Sequence, residues 1–277
     1  MADDHFLARN GLRLFQRRWQ PGGTPRAEVL LVHGLIEHSG RHAPTAEVLA
    51  SHGFAVWATD LRGHGKSEGQ RCWIGRFDEY IDDLEEYFAH VIRQAGEKPV
   101  FVLGHSLGGL TALLWSIRRP SERLRGLALS APALQVGDQL FPWLRRLAGL
   151  GSVLFPRLRL VRMGGRYISR DPAVVAQFRD DPLVFHGRLP VRTGAEILRA
   201  AGLSQRAFRQ VRTPLLILHG TGDRVVPAEA SQRLFDLAPS ADKTLRLYPG
   251  LYHEVLNEPE KEQVRADLVS WLVQRSA

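Results

Sequence analysis

Cysteine is almost missing from this 277-residue sequence, with Cys72 the single example. That excludes an internal disulfide and any cysteine-based metal framework, and a lone thiol with no activating pattern around it reads as structural. Lysine is also scarce: only Lys66, Lys98, Lys243 and Lys261 occur, so the formal charge of +8 comes almost wholly from arginine. An excess of basic charge can point to nucleic acid or to an anionic membrane. Zinc-knuckle spacing, a basic helix with heptads and an aromatic RNP-like strand are all lacking, so no nucleic-acid partner is expected. No run approaches the roughly 18 to 20 apolar residues that cross a bilayer. The opening Met-Ala-Asp-Asp-His-Phe-Leu has neither a basic n-region nor an apolar h-region, which makes a cytoplasmic location the expectation. An apolar content of 44% and a mean hydropathy of -0.18 describe a globular chain, long enough for one large α/β domain with an insertion or for two small domains.

What the sequence does have is a serine placed between a strand and a helix. Residues 100–103, Val-Phe-Val-Leu, form an apolar, β-branched and aromatic run of the kind buried on both faces of a parallel sheet. A helical segment follows at once. Between them Gly104-His105-Ser106-Leu107-Gly108 matches G-x-S-x-G, in which flanking glycines let strand and helix approach while the serine projects from a strained turn. The free N–H groups at the start of the following helix favour negative charge, and the N–H of Leu107 is positioned to face an oxyanion.

The chain on either side alternates strands and helices. Residues 12–19 alternate in polarity and read as an antiparallel edge strand. Residues 28–32 form the next strand, which ends in the Gly-broken loop His33-Gly34-Leu35-Ile36-Glu37-His38-Ser39-Gly40-Arg41-His42. A backbone N–H in such a loop can point at a substrate carbonyl, and the second oxyanion donor is assigned to Leu35. His33, His38 and His42 lack the spacing of a metal-binding helical pair and are expected to bond loop backbone instead. A helix near 43–52 and a strand at 54–59 lead into Asp60-Leu61-Arg62-Gly63-His64-Gly65-Lys66-Ser67-Glu68-Gly69. This loop lacks P-loop spacing, so Asp60 and Arg62 are expected to satisfy backbone or each other. In the amphipathic helix at 77–94, Asp82, Asp83, Glu85 and Glu86 read as a solvated face. Further strands are expected at 125–130, 215–219 and 244–248. The pattern is that of a mostly parallel sheet flanked by helices, an α/β architecture.

From 132 to 210 strand signals vanish. Leu140, Trp143, Leu144 and Leu147 have helical spacing, and no Asp or Glu occurs from 141 to 170. This stretch reads as a helical lid inserted into a core made of 1–131 and 211–277. Two readings of it stand. Phe141, Trp143, Leu150, Val153, Leu154 and Phe155 with flanking arginines can rest on an anionic lipid surface, giving peripheral membrane contact, or the apolar stripe packs on the core and the arginines are merely exposed.

A serine hydroxyl needs a base, and the base needs a carboxylate to fix its tautomer. In α/β-hydrolases the chain order is Ser, Asp or Glu, His, each on a loop after a strand. Asp223 follows the 215–219 strand directly, whereas Asp236 and Asp267 fall in helical patterns and Asp242 precedes a strand. His253 is the only histidine after Asp223.

These motifs, with Gly220-Thr221-Gly222-Asp223 and Tyr252-His253-Glu254, resemble the monoacylglycerol lipase and bacterial lysophospholipase family of α/β-hydrolases, also grouped with serine aminopeptidase-like hydrolases. The resemblance runs from about residue 10 to 273. It implies an α/β-hydrolase fold, Ser106, Asp223 and His253 as triad, Leu35 and Leu107 as oxyanion donors, and Arg41 and Glu37 near the polar end of the substrate pocket. The function expected is hydrolysis of a single-chain lipid ester, monoacylglycerol first, through an acyl-enzyme and without metal or organic cofactor. The alternatives are a lysophospholipase, a short-chain carboxylesterase and, more remotely, an aminopeptidase, which should carry acids near the pocket to bind an α-amino group. Oligomeric state is not legible.

Overall fold

The structure, a computed structural model, describes residues 4–8, 10–135 and 152–276. Its strands are β1 (Asp4–Leu7), β2 (Arg13–Trp19), β3 (Ala27–Val32), β4 (Phe54–Thr59), β5 (Val100–His105), β6 (Leu124–Ser130), β7 (Arg159–Arg162), β8 (Arg188–Pro190), β9 (Leu215–Gly220) and β10 (Lys243–Tyr248). The helices are α1 (Ala43–Ser51), α2 (Asp78–Ala95), α3 (Leu107–Arg118), α4 (Pro172–Asp180), α5 (Val191–Ala207), α6 (Glu229–Leu237) and α7 (Lys261–Arg275). An eight-stranded sheet has the order β1-β2-β4-β3-β5-β6-β9-β10. From β4 to β10 neighbouring strands pair in parallel; only β1–β2 and β2–β4 are antiparallel.

The continuous apolar runs of the central strands are explained by their two buried faces. In β3, Leu30 and Val32 point into one core with Val100 and Val102 of β5, Leu127 and Leu129 of β6, and Leu215 and Ile217 of β9. The intervening Val29, Leu31, Phe101, Leu103, Ala128, Leu216 and Leu218 point into the other. Helices α2, α3 and α5 contribute to the first core, α1 and α7 to the second. Alternation of direction with constant apolarity is what a strand covered by helices on both sides requires.

Three expectations need correction. β2 is not an edge strand: β1, a four-residue strand with exposed positions, lies outside it. Asp83 is not part of a solvated face. It is 3% exposed and receives Arg62 Nε at 2.6 Å and Nη2 at 2.5 Å, so Arg62 is satisfied by Asp83 and by Glu79, not by Asp60. Asp60 does bond backbone, accepting from the N–H groups of Ser39 and Lys66. Third, strands do occur within 132–210. Between β6 and β9, β7 and β8 pair antiparallel, and α4 and α5 accompany them. They are four and three residues long, and the arginine-rich, largely exposed β7 carries no apolar run to reveal it. The helical spacing of Leu140, Trp143, Leu144 and Leu147, with Phe141 and Leu150, lies outside the described residues. A third apolar cluster joins Ile36 and Cys72 to Ile168, Phe178, Val184 and Leu189, and so anchors this part of the chain to the loop after β3. Phe185 N–H donates to Ile36 O at 2.8 Å across the same seam. Cys72 is inert in this setting, since burial pushes its thiol up to about 12.

Candidate active site

Ser106 stands between the end of β5 and the first residue of α3 with φ +52° and ψ -116°, a backbone state that non-glycine residues adopt only under constraint. The neighbouring glycines supply that constraint. A methyl group on Gly104 would lie 2.6 Å from Gly108 O, and one on Gly108 would lie 2.1 Å from Val32 O. The strand, the helix and the end of β3 are therefore in backbone contact, and only glycine permits it.

Two further strand ends bring the partners in. His253, past β10, has Nε2 2.9 Å from Ser106 Oγ and Nδ1 2.7 Å from Asp223 Oδ2, past β9. Residues separated by 147 and 30 positions thus form one hydrogen-bond chain. Nδ1–H donates to the carboxylate, which leaves Nε2 free to accept the serine proton. Asp223 Oδ1 accepts from the N–H groups of Val225 at 2.7 Å and Val226 at 2.9 Å. Burial opposes the charge on Asp223, but His253 and His219 outweigh it and hold the carboxyl well below its ordinary range. Burial likewise disfavours a charged His253, and Asp223 overcomes this, raising its pKa above the ordinary histidine value. His105, packed 4.9 Å from the His253 ring, is shifted the other way by burial and donates Nδ1–H towards Ser130 O.

The loop after β3 is fixed with equal thoroughness. His33 donates Nδ1–H to Gly34 O at 2.7 Å and accepts Leu61 N–H at Nε2, 2.8 Å away. Gly34 N–H donates to Glu37 Oε1 at 2.6 Å, and that oxygen also meets His42 Nε2 at 3.0 Å. His33 thus bonds loop backbone as expected, but His42 bonds a carboxylate, and His38 divides its ring between Gly40 N–H and Asp181 Oδ2 at 2.8 Å. Among the described residues no group of three or more His, Cys, Asp or Glu could hold a metal.

Leu35, Ser106, His253, Glu37 and Arg41 line one pocket of about 60 Å³, together with Met163, Ile168 and Phe178. Leu107, whose N–H has no carbonyl four residues back within its helix, directly follows the serine. Arg41 and Glu37 meet at the pocket wall but not as free groups. Arg41 Nη1 is 2.8 Å from Glu37 Oε2, and its guanidinium forms a two-pronged pair with Glu254, at 2.6 and 2.9 Å. Its opposite face lies over the Phe178 ring. Glu254 and His219 are the site residues that sequence reasoning passed over. An acid adjoining the presumed base was the visible signal for Glu254; a histidine closing the strand before the presumed acid was the signal for His219.

This sheet, its crossovers and a serine, histidine and aspartate meeting at the strands' carboxyl ends define an α/β-hydrolase. The family described as Serine aminopeptidase, S33, matches residues 23–260, and the chain belongs to it. A monoacylglycerol lipase of Mycolicibacterium smegmatis is 35% identical over 98% of this chain and 97% of its own length. The human monoglyceride lipase is 33% identical over 99% and 91%. The crystal structure of a Paleococcus ferrophilus monoacylglycerol lipase superposes with a TM-score of 0.86 at 32% identity, covering 95% of this chain and 99% of that one. The resemblance carried by the loops therefore extends over the whole chain, and the protein is an ester hydrolase of this family.

Proposed function

We propose that the protein hydrolyses the ester of a single-chain lipid, converting monoacylglycerol to glycerol and a fatty acid through an acyl-enzyme on Ser106. Ser106 Oγ attacks the ester carbonyl as His253 Nε2 takes its proton. The N–H groups of Leu35 and Leu107 receive the oxyanion. The imidazolium, stabilised by Asp223, then protonates the glycerol oxygen as the carbon–oxygen bond breaks. Water, deprotonated by His253, attacks the acyl-enzyme, releases the fatty acid and regenerates Ser106. The observation that carries this reading is the unbroken chain from Ser106 Oγ through His253 to Asp223, at 2.9 and 2.7 Å, opening on a small pocket.

A pocket of about 60 Å³ is far below the roughly 300 Å³ at which drug-sized ligand sites begin, so it suits a head group and not the acyl chain. Arg41 and Glu37 form its polar end. Because Arg41 is bonded to both Glu37 and Glu254, each carboxylate is already engaged by a cation, which supports the ester over an aminopeptidase substrate. Residues 132–210 serve as the cap of a core made of 1–131 and 211–277. Val153, Leu154 and Phe155 are each at least 65% exposed, with Arg157, Arg159 and Arg162 following, and this favours peripheral contact with an anionic lipid surface over packing on the core. Among the described residues no helix is long and apolar enough to cross a membrane.

The test is a substrate panel: monoacylglycerols of graded chain length, lysophosphatidylcholine, a short nitrophenyl ester and an aminoacyl amide. Monoacylglycerol should give the highest kcat/KM, with Ser106→Ala inactive on every substrate. Preference for the amide would overturn the lipid assignment, and full turnover by Ser106→Ala would overturn the mechanism.

A further inference from the structure

His219 is the last residue but one of β9, four residues before Asp223, and is fully buried. Its Nε2 faces two acceptors, Asp223 Oδ2 at 3.2 Å and Val226 O at 3.1 Å. A bare ring nitrogen would set its lone pair against both oxygens, so Nε2 carries the proton and donates to the pair. The other nitrogen, Nδ1, lies 2.7 Å from Ser231 Oγ near the start of α6, and in the neutral ring the hydroxyl donates to it. Ser231 is itself fully buried, so the tautomer is fixed by its surroundings and water has no part in it.

Asp223 Oδ2 is therefore shared by two imidazoles, His253 on the side of the serine and His219 on the side of the core. Oδ1 is held by two backbone donors. We propose that His219 is a positioning residue for the hydrolysis. Its Nε2–H, split between the triad carboxylate and the carbonyl of Val226, fixes the rotation of Asp223 and draws off part of its negative charge. This proposal rests on the triad assigned above. Without the donor, Oδ2 keeps only His253, and Val226 O is left buried without a partner, so the loop that presents Asp223 loses an anchor. Asp223 also becomes the stronger partner for the imidazolium, so His253 loses its proton at higher pH.

The experiment compares wild type with His219→Leu, His219→Gln and Ser231→Ala on a soluble nitrophenyl ester across pH. A fluorophosphonate probe counts competent Ser106 in each, and a melting curve reports folding. His219→Leu should lower kcat about tenfold at nearly constant KM, as expected for a lost charge-assisted hydrogen bond, and move the acid limb of kcat/KM upward. His219→Gln, whose side-chain amide N–H can reach the Nε2 position, should restore most of kcat and the original acid limb. Ser231→Ala should act in the direction of His219→Leu but more weakly, and it decides the matter should His219→Leu not fold. Wild-type kcat and acid limb in His219→Leu, or in Ser231→Ala when the leucine variant is insoluble, would overturn the proposal. A melting loss alone would reduce His219 to core packing. Turnover surviving in Ser106→Ala would instead overturn the triad, which the probe reports separately.

Discussion

The rim that carries Ser106 and the segment between β6 and β9 are built on different terms. At the rim, every polar side chain that the mechanism uses has a named partner on another loop, and the backbone itself is in contact through Gly104 and Gly108. In the segment between β6 and β9, the large side chains Val153, Leu154, Phe155, Leu158 and Leu160 are each at least half exposed, while Leu189 of β8 joins the apolar cluster that holds Ile36 of the loop after β3. The difference teaches a division of labour. Attack on a trigonal carbonyl carbon tolerates little positional error, and the groups that the proposed mechanism uses sit on over-determined strand ends. The proposed lipid contact needs accessible apolar surface, which a packed core does not offer.

The sharpest way to break the comparison is to remove the rim's chemistry while leaving its packing. Ser106→Ala should cut ester turnover by about 10⁴-fold or more with an unchanged melting temperature. Asp223→Asn should cost about 10³ to 10⁴-fold, because the amide can favour the wrong histidine tautomer. Next comes the brace that links the two loops. Glu254→Gln leaves Arg41 short of one of its two anionic partners, 213 positions away in sequence. It should lower kcat about tenfold to a hundredfold on the soluble ester, and the double variant with Glu37→Gln should lose less than the sum of the two, as expected for one network. A smaller effect concerns pH. His253 must be neutral to accept the serine proton, and its pKa is raised, so kcat/KM should rise with pH through a midpoint above the ordinary 6.5. A midpoint below that value would mean that burial outweighs Asp223. The smallest effect tests the exposed apolar patch between β6 and β9: Val153, Leu154 and Phe155 changed together to serine should reduce turnover of monoacylglycerol in anionic vesicles a few-fold, about 1 kcal/mol, with no change on the soluble ester. Equal losses on both substrates would show that the patch supports the fold and not lipid contact.

How much was legible in the sequence follows from the same division. The central strands declared themselves because burial on both faces demands uninterrupted apolar runs; Ser106, Asp223 and His253 stood out because each follows a strand, and the fold brings them within hydrogen-bond reach. β1, β7 and β8 did not, being three or four residues long with exposed positions that carry no pattern. Asp83 looked like one of a row of surface acids, since only the fold brings Arg62 under it. Arg41 and Glu37 line the pocket beside Ser106, but their lock onto Glu254 depends on two strand ends meeting, which periodicity along a chain does not encode.

Gly108 has a consequence for anyone who would rebuild this enzyme. Because the space beside its Cα is already filled by the carbonyls of Val32 and His33, α3 and the turn after β3 are cut to a common template. A foreign turn spliced after β3 inherits that clearance and must match it to within a few tenths of an ångström. Transplants between homologues should therefore move the two pieces together, as a single cassette.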